Sequence, residues 1–413
     1  MRSEFERRLC RVLEFAVEAV GRLAENGYTD ANDSRVSFPP EKVIVEASLL
    51  AYIVSLADAG EDVQERLTAL VQVLGPIARG SRTSLGMCLN PPRVWDYAQA
   101  HIYLTRMGCC DREFDLLLGK CIASSQAGQI ERVPYRALEQ IWLENLWLGR
   151  CPSQVPQRRH NVPRTTLHRP MNTLTAGRDE LYAFTHALMY LSDFGVGRQR
   201  LPRDRKSILE DAEAGLARCL SDQDYDLAGE LLFTWPLAGQ PWTNDGILAF
   251  RVLAGLDDEY GYLPCSSNHK FCRAGLKSDE DKLQFVATSY HTVFVMGILC
   301  ATIIRSEKYP TNFQPCRSAL RDQANRILPF LDGLPRQDWQ DRFDECSPDE
   351  QDSLAGMLVN MALWRKFTAQ DYAGLFKVLK TAAELGLTDA PMPLQAAEVI
   401  DRLASLPSGF IKK

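Results

Sequence analysis

A chain of 413 residues that is 46% hydrophobic and 24% charged carries enough apolar matter for a large buried core, and its length allows two or three domains. The formal charge of −6 gives no global attraction to nucleic acid or to an anionic membrane, so neither is expected as a partner. The most apolar run, 285–304, is interrupted by Ser289, Tyr290, His291 and Thr292, and no membrane helix is predicted. The start, Met1-Arg2-Ser3-Glu4, is charged and lacks the apolar segment of an export signal, so a cytoplasmic protein is expected. Of the twelve cysteines, Cys10, Cys121, Cys219 and Cys300 fall in helical patterns among apolar neighbours and, in a reducing compartment, read as small buried hydrophobes.

Helical periodicity is visible from the start. Phe5, Leu9, Val12, Ala16, Ala19, Val20 and Leu23 fall on one stripe, and Gly27 is a stop signal. Pro39-Pro40 opens a second helix to about 56, and a third is predicted over 62–73. Further helical patterns cover 93–104, 112–124 and 135–148. Residues 151–172 then hold Pro152, Pro156, Pro163 and Pro170 among six Arg and His side chains. Prolines at that density forbid a regular helix. The segment reads as a linker, or as a basic excursion over a site. Helical patterns resume at 178–193, 207–220, 225–233, 243–256, 283–305, 316–331, 349–362, 368–385 and 393–404. Alternating strands with hairpin turns are missing from the pattern. An all-α fold of antiparallel helix pairs is expected, an α/α toroid being favoured over an open α-solenoid because no fixed repeat is visible. The organisation follows as 1–150, a helical region; 151–175, the Pro/Arg-rich segment; and 176–413, a helical region carrying the candidate site.

Polar residues on these apolar helices are the chemical candidates. On a helix, His186, Tyr190 and Asp193 stand at i, i+4 and i+7 and share a face. His291 opens the apolar run 293–304, where an imidazole needs a partner and has a shifted pKa. His186, Asp193 and His291 are therefore the candidate catalytic group, and they are expected to converge on one cavity. Tyr190, Tyr290, Trp235, Trp242 and Asp245 are the candidate substrate contacts; the last three belong to a rigid Pro- and Trp-rich turn, where Asp245 also suits the positive end of the next helix. Two histidines and a carboxylate are also the ligand types of a non-haem iron site, but two helical turns separate Asp193 from His186, so acid–base use is favoured and no metal ligands are assigned. Cys265, His269 and Cys272 offer three ligands where a structural zinc takes four, and no zinc is expected there. No HExxH, P-loop or GxSxG is present, and no cofactor can be named from the sequence.

Three runs carry a resemblance: Thr185-His186 with Tyr190-Leu191-Ser192-Asp193-Phe194-Gly195, Tyr290-His291-Thr292, and Pro134-Tyr135-Arg136-Ala137-Leu138-Glu139 with Trp142. Over 130–305 the chain resembles an uncharacterised bacterial all-helical family, a domain of unknown function associated with natural-product gene clusters. That resemblance implies a place in specialised metabolism and brings no established catalytic residues. Two functions are open: an enzyme using the His/Asp group on a small-molecule or peptide substrate, or a non-catalytic adaptor that holds a peptide or partner protein in a groove.

Overall fold

The spacing of apolar side chains builds α1 (Arg2–Gly21) as expected, with Phe5, Leu9, Val12, Ala16, Ala19 and Val20 buried along one face. The computed structural model describes residues 2–23, 27–29, 37–150, 165–196, 201–265, 278–315, 321–332 and 336–406. Among these the protein is all-α apart from one two-residue antiparallel pair, β1 (Tyr28–Thr29) with β2 (Ser37–Phe38), registered Tyr28 to Phe38.

The helices of the first half are α2 (Pro40–Ser55), α3 (Glu61–Ala78), α4 (Ser81–Leu89), α5 (Val94–Arg106), α6 (Arg112–Ile122) and α7 (Pro134–Trp147). Helix α4 has no counterpart in the sequence expectations. Only Thr83 and Met87 of it are buried, while Leu85 and Leu89 face outward, so it carries no apolar stripe to read. Next come α8 (Arg178–Leu191), α9 (Arg205–Asp222), α10 (Tyr225–Leu232), α11 (Thr234–Ala238), α12 (Asn244–Tyr260) and α13 (Asp279–Ser306). The chain ends with α14 (Gln323–Ile327), α15 (Asp338–Asp344), α16 (Pro348–Ser353), α17 (Ala355–Thr368), α18 (Tyr372–Glu384) and α19 (Pro391–Ala404). The helix expected over 316–331 is described only as α14 and a following 3-10 turn; 316–320 lie outside the described residues.

Neighbour relations place the site. Helices α2, α5, α7, α8, α10 and α13 each pack on the next, and α13 returns to α2, so the six form a ring. Helices α1 and α3 pack outside α2, and α9 and α12 outside α10. Helix α13 sits against α1, α2 and α10. Helices from both sides of 151–175 therefore share one apolar core, which runs from Phe5 to Ala396. By length and composition α13 could cross a membrane, but 89% of its most apolar stretch is buried inside the protein. In the Pro/Arg-rich segment 151–164 lie outside the described residues, while Leu167 is fully buried and Arg203 donates to its carbonyl at 2.9 Å.

One charged cluster ties the outer helices together. Arg8 of α1, 1% exposed, binds Asp257, Asp258 (2.6 Å) and Glu4 (3.1 Å), and Arg11 reaches the same two aspartates. Glycine is needed where α13 meets α1 and α2: a Cβ on Gly297 would stand 2.6 Å from Val12 and 2.8 Å from Leu50.

Candidate functional site

The ring encloses a cavity of about 860 Å³, the volume of a small-molecule site. Its wall is aromatic (Tyr103, Tyr135, Tyr182, Tyr190, Phe294) and titratable (Glu46, Glu139, His186, Glu230, His291). Each polar group comes from a helix whose other face is core. In α10, Leu227, Ala228, Leu231 and Leu232 are buried, which leaves Asp226 and Glu230, one turn apart, on a common side. In α13 the apolar run on both sides of His291 fixes that residue at the centre of the fold.

His291 is the hub. Its Nδ1 lies 2.8 Å from Glu46 Oε2 of α2, and its Nε2 lies 3.2 Å from Asp226 Oδ1, 3.8 Å from Glu230 Oε1 and 3.0 Å from the Tyr182 hydroxyl. Burial opposes a charge on this ring, but Asp226 and Glu46 outweigh it and hold the proton well above the usual histidine range. Asp226 is drawn down to about 2: burial works against its charge, and His291 and Arg178 overcome that. Glu230 goes the other way, up to about 8, through burial first and then repulsion from Asp226. Thr185 donates to it at 2.6 Å, and the Tyr182 hydroxyl also hydrogen-bonds it.

His186 sits beside this hub with the opposite character. Burial and the Arg136 guanidinium push it down to about 3, so the ring is neutral. Its Nδ1 is 3.0 Å from the Tyr182 carbonyl, which makes Nδ1 the protonated nitrogen and leaves Nε2 an acceptor. The ring stacks on Tyr182 at 4.4 Å. Across the cavity, Glu139 accepts from Tyr190 at 2.7 Å and from Arg136 at 2.8 Å.

The sequence-predicted residues thus separate. His186, Tyr190 and His291 meet in the cavity. Asp193 does not join them. Helix α8 ends at Leu191, and Asp193 and Phe194 take φ of 53° and 48°, so the helical register that would align Asp193 with His186 stops before it. Its carboxylate, in a buried residue, accepts from Trp142 Nε1 at 2.6 Å. Tyr290 is 1% exposed and packs behind the wall residue Phe294 at 5.6 Å, without lining the cavity itself. Trp235 and Trp242 stack face to face at 5.3 Å, and a Cβ on Gly246 would stand 2.8 Å from Trp235. Asp245 heads α12 beside them, its pKa raised by burial and by Glu213. These three are outside the cavity lining. His269 and Cys272 lie outside the described residues.

Sequence reasoning missed Glu46, Tyr182, Asp226 and Glu230. A signal existed: Asp226 and Glu230 are i, i+4 carboxylates in a short, otherwise apolar helix, and Tyr182 is one turn before His186. Glu46 lies in another predicted apolar helix, and nothing local says that it faces His291, 245 positions away.

The fold and the cavity define an all-helical protein with a buried, mixed-charge His–carboxylate cluster that opens into a ring of helices. The chain belongs to the family described as a domain of unknown function (DUF6895), whose model matches residues 8–301. Every cavity-lining residue, from Glu41 to Ile298, falls inside that span, whereas α14 to α19 fall beyond it. No curated protein and no solved structure matches the chain.

Proposed function

We propose that this protein is an enzyme and that its reaction takes place in the cavity of the six-helix ring, on a small-molecule or peptide substrate. One observation carries the reading: Glu46, Tyr182, His186, Glu230 and His291, from four helices, converge on one cavity instead of each being neutralised separately in the core. Burying that many polar groups is costly unless they act together. Tyr182 hydrogen-bonds both Glu230 and His291, His186 offers a neutral acceptor nitrogen, and Tyr135 and Tyr190 flank the space a substrate would fill. Substrate is thus confined to what a cavity of about 860 Å³ admits, which favours a small molecule or a peptide end over nucleic acid.

The test compares metabolite pools. Purified protein is incubated with a cell extract, and small molecules are profiled by mass spectrometry beside the His186→Ala and Tyr182→Phe variants. Metabolites consumed by the natural chain, and spared at least a hundredfold by both folded variants, are the expected result. A pool unchanged by the natural chain overturns the reading and leaves the adaptor, for which the outward Leu85, Leu89 and Leu116 of α4 and α6 are the surface to examine. The setting we propose, a step of bacterial specialised metabolism, rests on the family resemblance rather than on the cavity, and the neighbouring genes test it.

A further inference from the structure

The geometry points to a divalent metal site built from Asp226, Glu230 and His291, with the cavity side left open for substrate. The inference rests on the reading of the cavity as a site of chemistry, and it names the cofactor of that site.

Three ligand atoms of these residues lie within 4.8 Å of one another. His291 Nε2 is 3.2 Å from Asp226 Oδ1 and 3.8 Å from Glu230 Oε1. A cation about 2.1 Å from each donor wants donors roughly 3.0–3.5 Å apart; of the three pairs, His291–Asp226 is already at that spacing, His291–Glu230 is slightly wider, and Asp226–Glu230 lies within 4.8 Å. The buried Asp226 Oδ1 faces His291 Nε2 at 3.2 Å, and Arg178 holds the other oxygen at 2.9 Å. A carboxylate oxygen and an imidazole nitrogen turned toward each other in a buried cluster are the donor types that a divalent cation takes.

The surroundings are those of a ligand histidine. Glu46 binds the far nitrogen of His291 at 2.8 Å, the carboxylate–histidine arrangement that fixes the ring and turns the other nitrogen toward a metal. Arg178 orients Asp226, and Thr185 orients Glu230 at 2.6 Å. The three ligands come from one face, two from successive turns of α10 and one from α13, and His291 and Glu230 both line the cavity. Three protein ligands on one side leave coordination positions for water and substrate, as catalytic metals need. Two carboxylates and one imidazole suit a first-row ion of mixed oxygen and nitrogen preference, manganese or iron in the divalent state, better than a thiolate-seeking ion.

The probe is Mn²⁺ alone, added to chelator-treated full-length protein and followed by loss of the free-ion electron paramagnetic resonance signal. One ion bound per chain is expected. Asp226→Asn and His291→Gln, checked for helicity by circular dichroism, should weaken it at least a hundredfold. Asp115→Asn, whose carboxylate lies 2.9 Å from His101 Nε2 outside the cavity, should leave it unchanged. Should either ligand variant fail to fold, Glu46→Gln serves instead: it keeps all three ligands and should weaken binding tenfold or more. No stoichiometric binding by the natural chain, or equal binding by the folded variants, overturns the site. The two readings fail separately. Metabolite turnover by a protein that binds no Mn²⁺ sinks the metal alone. Bound Mn²⁺ with no metabolite consumed sinks the enzyme and keeps the ion.

Discussion

Two charged clusters reach into the same core, and they differ in their cations and in what lies beside them. Where α1 meets α12, Arg8 and Arg11 face Asp257, Asp258 and Glu4, and these residues border no part of the cavity. Where α10 meets α13, His291 and Arg178 face Glu46, Asp226 and Glu230 beside a cavity. In composition both set basic side chains against several carboxylates. In the first the cations are arginines that keep their charge under all conditions, and the ion pairs cross-link helices. In the second one cation is a histidine whose charge depends on its carboxylates. Acidic residues in a helical core are thus no sign of a site by themselves. An exchangeable cation beside open volume is.

The comparison breaks most visibly at Arg8. Arg8→Met strands Asp257 with only Arg11 to answer it, and stability should fall by about 3 kcal/mol, the low end for a broken buried pair because that second arginine remains. Urea denaturation measures it. At the other cluster, Glu230→Gln stands in for the protonated carboxyl that burial and Asp226 favour there, so the unfolding midpoint should hold while metabolite turnover is lost. Equal destabilisation by the two substitutions would erase the distinction.

Asp193 sharpens the contrast at intermediate size. Its bond to Trp142 Nε1 is buried, so Asp193→Ala should cost about 1–3 kcal/mol of stability through the stranded indole N–H. Turnover per folded molecule should stay at the natural level. A large fall in turnover with full stability would return Asp193 to the reacting groups.

The smallest effect belongs to His101, a third buried ionisable group. It is fully buried in α5, with Arg79 donating to Nδ1 at 3.0 Å and Asp115 at 2.9 Å from Nε2, while Asp111 faces it from further off. Burial lowers its pKa, with Asp115 opposing and Arg79 adding to the shift. The unfolded chain then takes up the proton before the native one does, so this group's contribution is complete above pH ~6.5 and is lost as pH falls below that value. A natural chain that loses no more stability between pH 7 and 5 than His101→Gln would show that this burial carries no linkage.

Helix content and the ends of the long helices were legible because they follow from local physics. Apolar residues every three to four positions bury one face, and this recovered α1, α8, α9 and α13 nearly whole. It failed at α4, whose apolar side chains point outward, and at Asp193, where two residues of left-handed backbone override the expected register. Half of the site was legible for the same reason. His186 and His291 announce themselves as imidazoles in apolar helices, and Tyr190 shares a face with His186.

What only the tertiary structure decided is which of these residues meet. Glu46 reaches His291 across 245 positions and Tyr190 reaches Glu139 across 51, and no periodicity encodes either. Closing the ring from α13 back to α2 makes the cavity, and the cavity distinguishes the His291 cluster from the Arg8 cluster, which borders none of it. The sequence by itself determined that this chain is helical and where its unusual polar residues lie along the helices, since those depend on neighbours three and four positions away. The assignment of roles waited on packing, because a carboxylate's charge, partner and access to solvent depend on helices distant in sequence.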